Sequence, residues 1–173
     1  MRVVRSARSK GVTHIRRSIQ RYGDPYLPQW DVGTVVCKQC QAVYHRRHWS
    51  FDKALQDKVG GDARIRLVVC PACRKIKEGY FEGEVSLLPS PFLSQHKKEI
   101  LRTIAKEEAR AKGMNPLARI IGTVERDGVV VITTTNEKLA QRVGRLLKST
   151  YQGSTSYHWS QDTRCLRVQW SRP

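Results

Sequence analysis

The sequence predicts an α+β protein, a small cysteine-clipped module followed by a two-layer α/β domain with a four-stranded, mainly antiparallel sheet. Three observations predict it. Two Cys-x-x-Cys pairs, Cys37/Cys40 and Cys70/Cys73, each follow two β-branched residues. In the C-terminal half, two stretches with helical apolar spacing alternate with pairs of strand-like segments. The chain has 173 residues, 39% of them apolar, which suffices for one ordinary domain or two small ones.

Residues 1–30 form a basic arm, expected to be flexible. Arg2, Arg5, Arg8, Lys10, Arg16, Arg17 and Arg21 precede the first acid, Asp24, and Pro25 and Pro28 then punctuate it. Little apolar surface is present to offset the entropy of a fixed fold. The segment is either a solvated tail or an arm that orders along phosphates, with Arg16 and Arg17 as contacts. A transit peptide would share this composition, but nothing marks a cleavage site.

Residues 31–91 carry the first module. A two-residue gap lets both thiolates of a pair turn toward one point about 2.3 Å from each sulfur, and two such turns complete a tetrahedron around Zn²⁺. One structural zinc held by Cys37, Cys40, Cys70 and Cys73 is therefore expected, in a zinc ribbon. Two unmetallated redox pairs are the alternative, but redox chemistry needs only one. His45 and His48 lie near the first pair and are expected at the surface, since four thiolates already close the coordination sphere. Between the pairs, Ser50 is expected to cap a helix over Phe51 to Val59, stopped by Gly60-Gly61. After them, Gly79-Tyr80-Phe81-Glu82-Gly83 reads as a turn into a strand from Glu84 to Leu88, and Pro89 and Pro91 close the module.

Residues 92–173 form the second domain. Ser94 is expected to cap a helix to about Ala111, with Ile100, Leu101, Ile104, Ala105 and Ala109 inward and six Lys and Arg residues on the other face. Gly113 and Pro116 stop it. Ala118 to Val124 and Val129 to Thr134 read as a hairpin turned at Asp127-Gly128. Asn136 caps a second helix to about Thr150, inward at Leu139, Ala140, Val143, Leu146 and Leu147, and Gly153 ends it. Strands from Thr155 to Ser160 and Thr163 to Trp170 follow, and Cys165 is expected as a small core residue. Both helices should cover one sheet face, leaving Arg and aromatic side chains on the other.

Several of these stretches occur in a fixed order: the Cys70-Pro71-Ala72-Cys73 knuckle, Gly79 to Gly83, the basic helix, and the run Val131 to Ala140. The chain then finishes Arg167-Val168-Gln169-Trp170-Ser171-Arg172. Over roughly residues 35–172 this resembles the short bacterial relatives of the archaeal and eukaryotic adaptor family that escorts the large ribosomal subunit out of the nucleus. The resemblance implies contact with ribosomal RNA or a ribosomal subunit, and it matches the four cysteines to zinc ligands. The adaptor carries more cysteine pairs, further domains and a transport tail, so export is not implied.

Charge bounds the function. Lys and Arg total 32 against 15 acids, a formal charge of +17, which calls for a polyanionic partner. Counterion release at phosphates gives affinity without sequence preference, and interleaved aromatics add stacking. The candidate contacts are Arg46, Arg47 and Trp49, beside Tyr44, and Arg74, Lys75 and Lys77, ahead of Tyr80 and Phe81. Tyr157 and Trp159 precede Arg164 and Arg167 in the same way. Either RNA contact or core packing accounts for each aromatic. The expected function is a zinc-containing RNA-binding, ribosome-associated protein, cytoplasmic, with no membrane segment and no small-molecule substrate. A DNA-binding regulator or a protein–protein adaptor using the zinc ribbon is the alternative. No enzyme is expected. Four cysteines leave a metal no open position, no phosphate-cradling glycine loop is present, and Asp52, Asp57 and Asp62 read as solubilising.

Overall fold

A computed structural model describes Tyr26 and residues 33–59, 65–160 and 164–173. Arg16, Arg17, the Gly60-Gly61 stop and residues 161–163, where the last two expected strands meet, lie outside the described residues. The elements run β1 (Val35–Cys37), β2 (Val43–His45), β3 (His48–Ser50), α1 (Lys53–Val59), β4 (Arg66–Val68), α2 (Pro71–Glu78), β5 (Gly83–Leu87), α3 (Pro91–Met114), β6 (Ile120–Arg126), β7 (Val129–Thr134), α4 (Glu137–Tyr151), β8 (Ser154–Trp159) and β9 (Leu166–Ser171). The protein is thus mixed α+β with two sheets.

The first sheet has the order β3-β2-β1-β4. β1 and β4 are parallel, with Cys37 opposite Val68. Parallel neighbours end on the same side, so the turn after β1 and the chain leaving β4 emerge together. This pairing brings the two cysteine pairs to one place although 29 residues separate them in the chain.

The second sheet has five strands in the order β6-β7-β5-β9-β8, not the four expected. The additional strand is β5, which the sequence attached to the cysteine module. It lies in the centre, antiparallel to β7 and parallel to β9. Its burial alternates, with Gly83, Val85 and Leu87 inward, as a central strand with one covered face requires. The break between the sheets therefore falls before Gly83. Val130 and Ile132 of β7 and Leu166, Val168 and Trp170 of β9 join the same core. Leu93, Ile100, Ile104 and Ala111 of α3 and Leu139, Ala140, Val143 and Leu147 of α4 cover it. Both helices lie on one face, as expected.

Local chemistry sets the ends. α3 begins at Pro91 rather than after Ser94. Ser90 Oγ accepts from Leu93 N at 3.0 Å, and Pro91 occupies the first helical position, where a missing N–H costs nothing. A proline expected to close a module instead opens a helix. α1 is capped by Asp52, whose Oδ1 accepts from Leu55 N at 3.2 Å, rather than by Ser50. Asn136 caps α4 as expected, accepting from Leu139 N at 2.9 Å. Asp127 and Gly128 take φ of 52° and 76°, the left-handed pair that a two-residue hairpin between right-twisted strands needs.

The uncovered face of the second sheet departs from expectation. The cross-strand rows there are Gly122, Thr133, Glu84, Arg167, His158 and, beside it, Val124, Val131, Ser86, Gln169, Ser156. Neither row holds Phe, Tyr or Trp. Tyr157 and Trp159 sit opposite Val168 and Leu166 and so face the helix side.

Candidate metal centre

Cys37 closes β1, and the chain turns back at once. Gln41 N donates to Cys37 O at 2.9 Å and Cys37 N to Ala42 O at 2.8 Å, with Gln41 at φ 62°. This tight turn carries Cys40 round to the same side as Cys37. The second pair is built differently. Cys70 is the N-cap of α2, extended at φ −66° and ψ 158°, and its Sγ accepts from Cys73 N at 3.4 Å. Sulfur takes the place usually held by a serine or aspartate oxygen, and Pro71 follows at the first helical position. One helical turn later Cys73 faces the same point.

The four sulfurs all lie within 4.8 Å of one another. Cys37 and Cys73 are 3.9 Å apart, and Cys40 and Cys70 are 3.7 Å apart. A tetrahedron with about 2.3 Å from centre to sulfur has edges of about 3.8 Å, so four thiolates at these spacings fit one metal ion. Cys37 and Cys70 are fully buried, Cys73 nearly so and Cys40 half-buried, against Val35, Ala42, Tyr44, Trp49 and Ala72. No fifth donor is needed, and the set offers no carboxylate or imidazole. His45 is engaged elsewhere, its Nδ1 lying 2.8 Å from Thr34 Oγ1.

Donors surround the sulfurs. Cys70 N points at Cys37 Sγ at 3.3 Å. Arg119, from the segment leading into β6, donates through Nη1 to Cys73 Sγ at 3.6 Å, while its Nε donates to Pro116 O at 2.9 Å. Metal-free, the thiols cannot ionise together. The hydrogen bond from Cys70 draws the Cys40 thiol down, and the same contact, reinforced by burial, drives Cys70 far up. Burial pushes Cys73 up to about 11. Burial is the largest influence on Arg119 and opposes its charge, but Cys40, Cys73 and Cys70 together outweigh it and raise the guanidinium.

The other expected site residues separate into groups. Arg46 and Arg47 form the tip of the β2–β3 turn, both at positive φ and both exposed. Arg74 and Lys77 are exposed on α2, Arg74 lying over the Tyr26 ring at 5.1 Å. Trp49 is 4% exposed and packs on Tyr44 with ring centroids 5.3 Å apart, so it belongs to the core of the module and not to a contact surface. Lys75 is likewise buried, at 3%. Its Nζ lies 2.9 Å from Glu82 Oε1 and donates to Thr135 O at 3.2 Å. Cys165 is buried, as expected, and burial raises its thiol. Sequence reasoning missed Arg119, and no local pattern marks it. Only the fold brings it to sulfur 46 residues away.

Compared with protein-family models, with curated proteins and with solved structures, the chain matches none of them. Among the described residues no helix is long and apolar enough to cross a membrane.

Proposed function

We propose that the protein is a zinc-stabilised RNA-binding protein that works on ribosomal RNA or a ribosomal subunit, and that it is not an enzyme. The observation that carries this is the pairing of a four-sulfur cluster, which would leave a bound ion no open position, with a formal charge of +17. Zinc suits an all-thiolate tetrahedral set, and a closed set of this kind serves folding rather than catalysis. The charge excess then supplies the affinity for a phosphate polymer. The resemblance of its ordered run of motifs to the ribosomal-subunit adaptor family favours ribosomal RNA among such polymers.

Recovering the tagged protein from cells at moderate salt and sequencing its bound nucleic acid tests this. Enriched ribosomal RNA is the expected result. Promoter DNA would replace it with a regulator. Absence of nucleic acid would favour an adaptor, for which Leu67, 64% exposed on the edge strand β4, is the nearest candidate surface. Elemental analysis of the purified protein should find one zinc per chain.

A further inference from the structure

We infer that the outward face of the two-helix layer, α3 beside α4, grips the phosphate backbone of double-helical RNA. This rests on the RNA-binding function proposed above and says which surface performs it.

The acids of α3 each have a partner within the domain, although Glu99 stays 63% exposed. Glu107 of α3 is 8% exposed and binds Arg142 of α4 at 2.6 Å. Glu108 accepts from Ile120 N at 2.8 Å. Glu99 accepts from Tyr151 OH at 3.1 Å. The acids of α3 are thus engaged by the domain itself. Of the outward cations, Arg110 lies 3.7 Å from Glu107 and Lys97 2.9 Å from Glu125, but five others on the two helices are unpaired. Lys98, Arg102 and Lys106 on α3, and Arg145 and Lys148 on α4, are exposed and make no side-chain hydrogen bond or ion pair among the described residues.

Their spacing is regular. Lys98, Arg102 and Lys106 stand four residues apart, one stripe along the helix with about 6 Å of rise between neighbours. Arg145 and Lys148 lie a turn apart on the adjacent helix, and packed helices stand about 8–10 Å axis to axis. Between the helices lies a shallow groove lined by Glu107, Arg142, Arg145, Leu146 and Ser149, so of the five unpaired cations Arg145 is the one on its wall. Like charges four apart weaken a helix by a few tenths of a kcal/mol per pair. α3 carries two such pairs in succession with no acid between them on that stripe, a cost that a polyanion would remove.

The other surfaces fit less well. On the open sheet face Arg167 faces Glu84 at 3.9 Å, and the neighbouring row is uncharged. On the helix layer Tyr157 is 37% exposed beside Gly144, while other aromatics are covered. Tyr151 is buried, and Phe92 is covered by His96 and Arg172. Single strands gain much of their binding energy by stacking on exposed rings, whereas duplex RNA is held through its backbone and shape. A layer rich in unpaired charge, with Tyr157 its one exposed ring among those named, favours the duplex over a single strand.

The test uses the metal-loaded full chain and a perfectly paired synthetic RNA duplex, with the DNA duplex of the same sequence and poly-glutamate as comparisons. The Lys98→Gln/Arg102→Gln/Lys106→Gln variant should lose at least about tenfold in affinity, and its log K against log [salt] slope should shrink by about two to three. Its thermal midpoint should stay level or rise, because glutamine is a good helix former and the like-charge pairs are gone. Unchanged affinity and slope in this variant, with both lost in Arg46→Gln/Arg47→Gln, would overturn the inference and leave RNA binding intact. Wild-type protein binding the DNA duplex or poly-glutamate as tightly as the RNA duplex would also overturn it. Wild-type protein binding no nucleic acid at all would overturn the proposed function itself.

Discussion

At the scale of single residues, the cysteines divide the work unequally. Cys37 and Cys70 are the buried anchors, and Cys70 also starts a helix, so its sulfur has a folding role before any metal arrives. Cys70→Ser keeps a capping oxygen but removes a thiolate. It should release the metal and unfold the first module, since metal affinity is folding energy where the hydrophobic core is this small. Metal content and thermal unfolding followed together check this, and a metal-free variant melting with the parent would refute it. Arg119 acts at one remove. It offers the cluster a donor and a positive charge while its Nε holds the Pro116 carbonyl. Arg119→Met should keep most of the bulk yet weaken metal binding by about 10- to 100-fold, the range for outer-shell partners. Competition with a chromophoric chelator measures it. A smaller change would show that backbone N–H groups alone hold the thiolates.

At the scale of elements, close approach matters more than propensity. α4 lies so near the sheet that a Cβ on Gly144 would meet Val168 Cγ1 at 2.7 Å and Tyr157 OH at 2.9 Å. In a free helix Gly→Ala gains about 1 kcal/mol. Here Val168 is fully buried and cannot retreat, so Gly144→Ala should destabilise the domain by about 1–3 kcal/mol instead. Denaturant unfolding decides the sign. Elements with one strong local signal were legible from the chain. Asn136 before an apolar stripe set the start of α4, and Asp127-Gly128 set the β6–β7 hairpin. Three others were not. The α2 helix hides behind a proline and a sulfur cap. The sequence places the start of α3 at Ser94, because Pro91 reads as a stop until it is taken as a first helical residue behind Ser90. β5 reads as a strand, but the sequence attaches it to the wrong sheet, because five residues carry no mark of which sheet they enter. The same limit applied to Trp49 and Lys75. An aromatic and a lysine among basic residues resemble a contact surface until the fold buries them.

At the scale of the whole molecule, polar side chains lie where the two sheets meet. Leu117 packs against the cysteine module, but beside it lie Lys75 with Glu82 at 2.9 Å and Arg119 with Cys73. Arg164 adds Nε at 3.9 Å from Glu82 and Nη2 at 3.2 Å from Glu137, around a cleft of about 140 Å³. A buried ion pair is costly to break from one side, because the surviving charge stays desolvated. Lys75→Met should therefore cost about 3 kcal/mol, and adding Glu82→Gln should recover part of it, which a double-mutant cycle would read. The second sheet has its own contiguous core of strand and helix residues, whereas the first depends on four sulfurs and a few apolar side chains. Removing the metal should consequently affect the halves differently. A strong chelator should abolish amide protection in β1, β2, β3, β4 and α2 while β5, β7 and β9 keep theirs. Glu82 would then lose its lysine as α2 loosens, so the start of β5 should be the part of the second sheet that exchanges faster. Uniform loss of protection across both sheets would mean that the metal holds the whole chain rather than one module. Uniform retention would mean that the thiols pack well enough without it.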